Sequence, residues 1–399
     1  MKKNVRIVAG IVAGVLLVGV LCVALSLYDT PINEIDGIYY KNVKFTSRTQ
    51  IVDVSDDTAE LIVPMQQNGK KVVSVNTGEN NKITKITLSS SVEQVVSNSA
   101  QLKEFAVPSS NQFFKAIDGV LYSKDGKTLV KYPPAKSGTK YDVVANCESL
   151  ADECFKQASK LITIVLPTTA TITSIGQRAF YQCSRLMALT IGDNPCQSFG
   201  ADCFGGCTDL KTIQIPATAT SLQQGFLGVG SSIQNVVVDE QNPNYHFQDG
   251  VLYDKNLTKV LCCLESFVGE TFTLPETVVD VEAYAFRGNY KTLKIVNLNN
   301  VQVLQSLAFY YCNLDVVNLN NVHTIENDAI YQCLGLDYLV IPQGCKIAQR
   351  ALCTLHCNIY LNDNKPLFQP KWQKELHERA KVYFNGEWQR IENVPTPNN

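Results

Sequence analysis

Cysteine is the residue type in this sequence that could support the most chemistry. The chain has 399 residues and fourteen cysteines, and thiolates bind zinc, form disulfides and act as nucleophiles. Two C-x-x-x-C pairs occur, Cys203 with Cys207 and Cys353 with Cys357. Neither has the second well-spaced pair that a zinc site needs. Without Cys22, which lies in an apolar amino-terminal segment, thirteen cysteines remain, and an odd number cannot pair completely within one chain.

Four cysteines recur at one place in an internal repeat: Cys183, Cys207, Cys312 and Cys333. Stacked repeats would place them in a buried column, where a thiol acts as a small apolar side chain. The alternative is disulfide bonding between stacked or nearby cysteines, including the C-x-x-x-C pairs. The pattern favours free, buried thiols, and we expect no metal site and no cofactor.

Other catalytic patterns are weak or missing. Asp125-Gly126-Lys127-Thr128 imitates the end of a phosphate-binding loop, but Leu121 stands where that loop requires glycine, and Leu129-Val130 continues a strand. The sequence contains no G-x-S-x-G and no H-E-x-x-H, and its four histidines share no close spacing. The formal net charge of −2 gives no positive field for nucleic acid. We therefore expect a protein that is not an enzyme and does not bind nucleic acid.

The elements that would position these residues repeat along the chain. R-A-F-Y-Q-C-S-R-L-M-A-L-T-I begins at Arg178, and A-D-C-F-G-G-C-T-D-L-K-T-I-Q-I-P ends at Pro216. A phenylalanine or its equivalent marks each unit: Phe155, Phe180, Phe204, Phe226, Phe286, Phe309, Ile330 and Leu352. The steps are 25, 24, 22, 60, 23, 21 and 22 residues. A period in the low twenties is typical of a stacked solenoid.

One unit predicts one coil. In L-x-x-I-x-I-P, Leu210, Ile213 and Ile215 would face inward from a short parallel strand that Pro216 ends. Phe204 would point into the stack from a turn or short helix. No unit can bury this face alone, so neighbouring coils must cover it.

The long step contains an insertion that is itself duplicated. Asn111 to Val130 matches Asn244 to Leu261, with Asp118-Gly119 aligned on Asp249-Gly250. We predict two inserted β-hairpins, near 111–134 and 244–264, with turns at 124–126 and 255–256. Both are expected to project from the solenoid edge.

The amino terminus predicts export. Lys2, Lys3 and Arg6 precede an uncharged run over 7–27, which is 21 residues and long enough to cross a bilayer as a helix. An uncleaved single-pass anchor and a signal peptide cut after Ser26 both fit. The predicted organisation is anchor or signal sequence over 1–28, linker and β cap over 29–82, solenoid over 83–361, and cap and tail over 362–399.

These motifs resemble the BspA-type leucine-rich repeat, with its A-F-x-x-C-x-x-L-x-x-I-x-I-P core and its D-G-V-L-Y insertion. The resemblance covers roughly 83–361 and implies a leucine-rich repeat solenoid. It also implies a surface or secreted protein, because family members in bacteria and parasitic protists are mostly of that kind, and some bind host matrix proteins or other cells. Several coils lack the strand-ending proline.

Outward positions of the strands supply the candidate interaction face. They mix neutral polar and apolar groups, which suits protein or glycan contact without strong charge steering. The candidates are Val165, Thr190, Lys211, Thr212, Gln214, Val237, Asn297, Asn318, Asp337, Tyr338 and Val340. We therefore expect a non-enzymatic cell-surface or secreted protein that binds an unknown protein or glycan, with adhesion to host or neighbouring cells as one use. The alternative is a structural spacer or envelope component without a soluble ligand.

Overall fold

Every regular element in the described part of the chain is a β-strand. The computed structural model describes residues 32–44, 46–78, 80–167, 172–191, 194–289, 291–333, 335–336, 338–348, 350–352, 358–361, 381–384 and 387–390. They form two compact units: residues up to Gln101 with Ala106–Phe113, and Leu102–Phe105 with Phe114 onwards. Turns connect the strands, so the short helices that were one option for the coils do not occur in these residues.

The first unit contains a small mixed sheet. Its strands are β1 (Ile32–Ile35), β2 (Ile38–Asn42), β3 (Arg48–Val54), β4 (Glu60–Ile62), β5 (Gln66–Gln67), β6 (Lys70–Asn76), β7 (Lys85–Thr87) and β8 (Gln94–Val96). Asn68-Gly69 joins β5 to β6 with both residues at positive φ, as a tight hairpin requires. β4 pairs with β7 in parallel, with Glu60 opposite Lys85. Coil-like pairing thus also occurs before residue 83, and the boundary between cap and solenoid stays a prediction.

The second unit contains strands in two alternating series. β9 (Glu104–Ala106) is followed by β10 (Phe114–Ile117), β11 (Val120–Ser123), β12 (Thr128–Lys131), β13 (Lys140–Asp142), β14 (Ser149–Leu150), β15 (Thr163–Val165), β16 (Ser174–Ile175), β17 (Ala188–Thr190), β18 (Ser198–Phe199), β19 (Thr212–Ile215), β20 (Ser221–Leu222) and β21 (Asn235–Val238). The chain continues with β22 (Tyr245–Gln248), β23 (Val251–Asp254), β24 (Lys259–Cys263), β25 (Thr271–Thr273), β26 (Asp280–Val281), β27 (Ile295–Asn297), β28 (Val303–Leu304), β29 (Val316–Asn318), β30 (Thr324–Ile325), β31 (Tyr338–Ile341), β32 (Lys346–Ile347), β33 (Asn358–Leu361), β34 (Lys381–Phe384) and β35 (Glu387–Arg390).

Parallel pairing between successive coils confirms the solenoid. The back sheets run β10-β11-β12-β14-β16-β18-β20 and β22-β23-β24-β26-β28-β30-β32. The front strands form the shorter sheets β13-β15-β17, β19-β21, β25-β27-β29 and β31-β33-β34-β35. Ile213 and Ile215 are buried on β19, which ends before Pro216, as predicted.

Aromatic rings stack along the interior at the predicted positions. Phe155, Phe180 and Phe204 are fully buried, and their ring centroids follow at 5.5 Å with nearly parallel planes. Phe286 and Phe309 repeat the arrangement at 4.8 Å. Because each ring is covered by the ring of the next coil, the stack buries apolar area that a single coil would expose.

The cysteine column lies beside these rings and is hydrogen-bonded. The Sγ–H groups of Cys183, Cys207 and Cys312 donate to the carbonyl oxygens of Phe155, Phe180 and Phe286 in the preceding coil, at 3.0, 3.1 and 2.9 Å. All cysteines that the structure describes are free and buried: Cys147, Cys154, Cys183, Cys196, Cys203, Cys207, Cys262, Cys263, Cys312, Cys333 and Cys345. The free-thiol interpretation is confirmed for these residues, and Cys353 and Cys357 lie outside the described part.

The insertions do not project from the solenoid, so that prediction is wrong. Each is a three-stranded meander whose third strand, β12 or β24, pairs in parallel with the next back strand. Asp118-Gly119 and Asp249-Gly250 form the first turn of each meander at positive φ. Val120, Leu121 and Tyr122 are all buried, because apolar residues on both faces of β11 cannot remain in water. The D-G-V-L-Y segment is therefore the start of a sheet.

The second meander separates two hydrophobic cores. Leu252 belongs to the first core, which includes Phe155 to Phe226, whereas Val251 and Tyr253 belong to the second core, which includes Phe286 to Leu352. Successive side chains of a strand point to opposite faces. β23 is thus buried on both faces, one against each core.

A buried asparagine precedes each meander in the same role. Asn242 Nδ2 donates to Pro216 O at 2.7 Å and Ala219 O at 3.2 Å. Asn111 Nδ2 donates to Ser89 O at 2.8 Å and Val92 O at 3.0 Å. The duplication therefore aligns Asn111 with Asn242, at the offset of 131 that relates Asp118 to Asp249, and the alignment of Asn111 on Asn244 is corrected.

Both ends of the chain extend beyond the described residues. The predicted membrane segment over 7–27 and the predicted helix over 370–380 lie outside them. Among the residues that are described, no helix is long and apolar enough to cross a membrane. The predicted carboxy-terminal hairpin is confirmed, since β34 and β35 pair antiparallel across residues 385–386.

Glu265, just after β24, is a buried carboxyl group between the two cores. It is 8% exposed, and its two oxygens accept hydrogen bonds from Gly230 N at 3.0 and 3.1 Å. Burial raises the pKa of Glu265 to about 7, although the Gly230 N–H group and the positive charges of Lys291 and Arg287 oppose the shift. A Cβ atom on Gly288 would lie 2.5 Å from Glu265 Oε1, so this site requires glycine there.

We predict that Cys207→Ala lowers the free energy of unfolding by about 1 to 2 kcal/mol, because it opens a small cavity and leaves Phe180 O without its donor. Urea unfolding followed by circular dichroism measures the loss. The matched control is Cys196→Ala, since Cys196 is equally buried but its Sγ is 3.6 Å from its acceptor, Ser198 O. Equal losses in the two variants would contradict a contribution from the thiol hydrogen bond.

We also predict that the protein loses stability as pH rises from 5 to 8. The folded state keeps the Glu265 proton up to a pKa of about 7, whereas the unfolded chain releases it near the ordinary value of 4.5. In that window the folded state binds more protons, so the stability present below the unfolded pKa is lost as pH rises, by at most about 3 kcal/mol. Urea unfolding at pH 5 and pH 8 measures the difference. Glu265→Gln should reduce it, and an identical pH dependence in that variant would refute the assignment.

Candidate functional site

The predicted interaction face is distributed over four separate front sheets. Register places its members in adjacent pairs: Val165 opposite Thr190, Gln214 opposite Val237, and Asn297 opposite Asn318. Lys211 precedes β19, and Thr212 begins it. Val340 lies on β31, which Tyr338 begins, and Asp337 lies outside the described residues. The structure thus brings pairs together, and one continuous eleven-residue patch does not form.

Exposure divides these residues into two groups. Thr190, Lys211, Thr212, Gln214 and Val237 are exposed, whereas Val165, Asn297, Asn318 and Val340 are half-buried. Asn318 Nδ2 donates to Asn297 Oδ1, and Asn297 Nδ2 donates to Thr273 Oγ1 at 2.9 Å. This ladder uses the amides to join three coils. A binding role for the face stays a prediction, and its exposed part centres on β19 and β21.

A groove of about 460 Å³, which the sequence did not indicate, lies along the turns that follow the back strands. We call it the arginine–tyrosine groove, and residues from six coils line it: Gln177, Arg178, Ala201, Asp202, Gln224, Tyr284, Arg287, Leu307, Tyr310, Asp328, Tyr331 and Arg350. It extends across the junction between the two cores. Sequence order hides it, because its walls come from segments up to 173 residues apart, from Gln177 to Arg350.

Tyrosine rings and one guanidinium group form the centre of this groove. Tyr310 and Tyr331 stack with centroids 5.7 Å apart and an interplanar angle of 12°. The Arg287 guanidinium lies 5.1 Å from the Tyr284 ring centroid and 5.8 Å from that of Tyr310. Cation–π contact of this kind fixes the arginine at modest energy, about 0.5 to 1 kcal/mol at exposed sites.

Ion pairs hold the other polar side chains in place. Arg287 Nη1 lies 2.7 Å from Asp202 Oδ1, a contact between residues 85 positions apart. Arg178 Nη2 lies 3.5 Å from Asp202 Oδ2, and Arg350 Nε lies 3.1 Å from Asp328 Oδ1. Arg287 Nε is buried and has no hydrogen-bond acceptor among the described residues. The groove therefore offers an unused donor beside oriented aromatic rings.

The backbone places several of these side chains by an unusual conformation. Arg178, Asp202, Tyr284, Leu307 and Asp328 each precede the interior phenylalanine position by two residues, and all have φ between 52° and 64°. For residues other than glycine this region costs about 1 kcal/mol or more. Because five coils share it, side chains from successive turns line one groove.

The sequence carries a weak signal for this site. Tyrosine follows the interior position in A-F-Y-Q-C, A-F-Y-Y-C and A-I-Y-Q-C, which gives Tyr181, Tyr310 and Tyr331. This recurrence marks a tyrosine column at coil spacing. The arginine partners do not recur at one position, so the pairing of Arg287 with Asp202 needed the three-dimensional structure.

The chemistry of these surfaces is that of recognition. Burial raises the pKa of the Cys207 and Cys196 thiols to about 12, and that of Cys203 well above its ordinary value. A thiol that stays protonated is a poor nucleophile and a poor metal ligand. Among the described residues, no three His, Cys, Asp or Glu side chains are grouped to hold a metal ion.

Solved structures share this architecture. The crystal structure of the pneumococcal vaccine antigen PcpA aligns with a TM-score of 0.53 at 18% identity, over 90% of this chain and 94% of that chain. A leucine-rich cell surface protein from Faecalibacterium prausnitzii aligns with a TM-score of 0.46 at 15% identity, over 90% of this chain and 96% of that one. A search of curated proteins finds no match.

The family comparison covers more than half of the sequence. The sequence model of the BspA type leucine rich repeat region matches residues 148–266 and 263–361, with six copies. The matched residues include both Phe columns, the thiol hydrogen bonds and the second meander. The chain therefore belongs to the family of BspA-type leucine-rich repeat proteins.

Proposed function

We propose that this protein is a non-enzymatic cell-surface binding protein that recognises a partner protein or glycan through the arginine–tyrosine groove. The observation that carries the proposal is the set of oriented Tyr310, Tyr331 and Arg287 side chains over a groove of about 460 Å³. Tyrosine and arginine dominate the energetically important centres of protein interfaces. The PcpA and Faecalibacterium structures support a surface location, since one is named a vaccine antigen and the other a cell surface protein.

The exposed front residues form a second contact region in this proposal. Thr190, Gln214 and Val237 would extend the contact without strong charge steering. The spacer hypothesis makes a different demand, since it needs the stacked coils but no oriented side chains in the groove.

We predict that Tyr331→Ala and Arg350→Ala each weaken binding at least tenfold, because they remove a stacked ring and a guanidinium group from the groove. Saturable binding of the full chain to arrays of extracellular matrix proteins and glycans supplies the measurement. Thr190→Ala and Gln214→Ala test the front face in the same assay, and Glu276→Ala on a distant turn is the control. If the wild-type chain binds nothing on either array, the spacer hypothesis is supported instead.

We further propose that residues 7–27 either anchor the chain in the membrane or direct its secretion, and that the repeats lie outside the cell. Protease added to intact cells should digest the repeats while a cytoplasmic marker protein survives. Sequencing the amino terminus of the mature protein separates the two cases, because signal cleavage removes residues up to Ser26. Repeats that resist protease until the cells are lysed would contradict the surface location.

A further inference from the structure

We propose that the outer edge of β21 binds an extended peptide segment of a partner protein as an added β-strand. β21 pairs with β19 alone among the described strands, because the second meander enters the chain after it and the next front strand, β25, pairs with β27. This site is distinct from the arginine–tyrosine groove. An exposed strand edge presents a row of backbone donors and acceptors that another chain can pair with.

The register of β21 defines which groups face outward. Asn235 N donates to Lys211 O at 3.1 Å, and Asp239 N donates to Ile215 O at 2.9 Å. In a parallel pair, alternate residues bond to the same neighbouring strand. Residues 235, 237 and 239 therefore bond to β19, and Val236 and Val238 direct their N–H and C=O groups to the open edge.

The duplicated half of the chain shows what such an edge accepts. At the offset of 131, Val236 corresponds to Phe105, whose N–H donates to Gly119 O, in the meander turn, at 2.8 Å. The corresponding turn carbonyl, Gly250 O, instead accepts from Leu264 N at 2.9 Å. Leu264 corresponds to Pro133, which has no N–H, so the first meander turn is left for Phe105. No described residue accepts a hydrogen bond from Val236 N in the second half.

A cleft of about 540 Å³ lies along this strand. Residues 235–240 form one wall, and Tyr245, Phe247 and Lys255 stand on the other. Val237 is 45% exposed within it. The cleft follows the whole of β21, which is the shape that an extended segment needs and that a compact ligand does not.

Charge indicates the sequence of the occupant. Asp239 and Glu240 are exposed at the carboxyl end of β21, and neither has an ion-pair partner in the described part of the chain. A lysine or arginine in the bound segment would lie opposite them. Val236 and Val238 supply backbone hydrogen bonds, so the remaining residues of the segment need only extended conformation.

The test uses a phage-displayed library of random twelve-residue peptides selected on the full chain, followed by affinity measurement with the most enriched synthetic peptide. Glu240→Lys should weaken its binding at least tenfold, and Glu276→Lys, an equal charge change on an exposed turn, should change it less than twofold. N-methylation of the peptide at alternate residues should abolish binding in one phase and leave it within twofold in the other. These peptide variants leave the protein itself unchanged.

Three results would overturn the proposal. The first is a library that yields no binding peptide, and the second is equal sensitivity to both phases of N-methylation. The third is a free chain that sediments as a dimer and becomes a monomer on Glu240→Lys, which would assign the edge to a second copy. Loss of peptide binding in Tyr331→Ala but not in Glu240→Lys would move the peptide to the groove and likewise end the proposal.

Discussion

The structure depends on one constraint: a single coil cannot bury its own apolar face. Each coil of about 22 to 25 residues contributes one interior ring, one thiol and a short inward-facing strand, and only the next coil covers them. The thiol adds a directional contact to this non-directional packing, because its hydrogen bond fixes the height of one coil on another. Alanine or valine at this position would fill space without satisfying the carbonyl group below.

The same constraint explains why some features could be predicted from sequence. Ile213, Ile215 and Pro216 specify a strand and its end locally, and the recurrence of Phe180 and Phe204 specifies stacking. The meanders were predicted as projections because D-G-V-L-Y was treated as a two-stranded hairpin. What sequence did not show was that Leu252 and Tyr253 face different cores, since this requires knowing which coils lie on each side.

The candidate sites were less predictable for a related reason. Outward strand positions follow from alternation, so Gln214 and Val237 were placed correctly on exposed positions of paired strands. The arginine–tyrosine groove depends instead on left-handed residues in successive turns and on an ion pair across 85 residues. Neither property has a local pattern, because the side chains that meet there belong to different repeats.

The burial of β23 on both faces also bears on how such a chain could evolve. A meander that closes one stack and opens the next is a joint at which a whole block of about 131 residues can be added or removed without leaving an interior surface bare. Relatives of different length would then differ by entire blocks, with each joint bringing one more unfinished strand margin. The number of such margins, and not the number of coils, would set how many extended partners one molecule can hold.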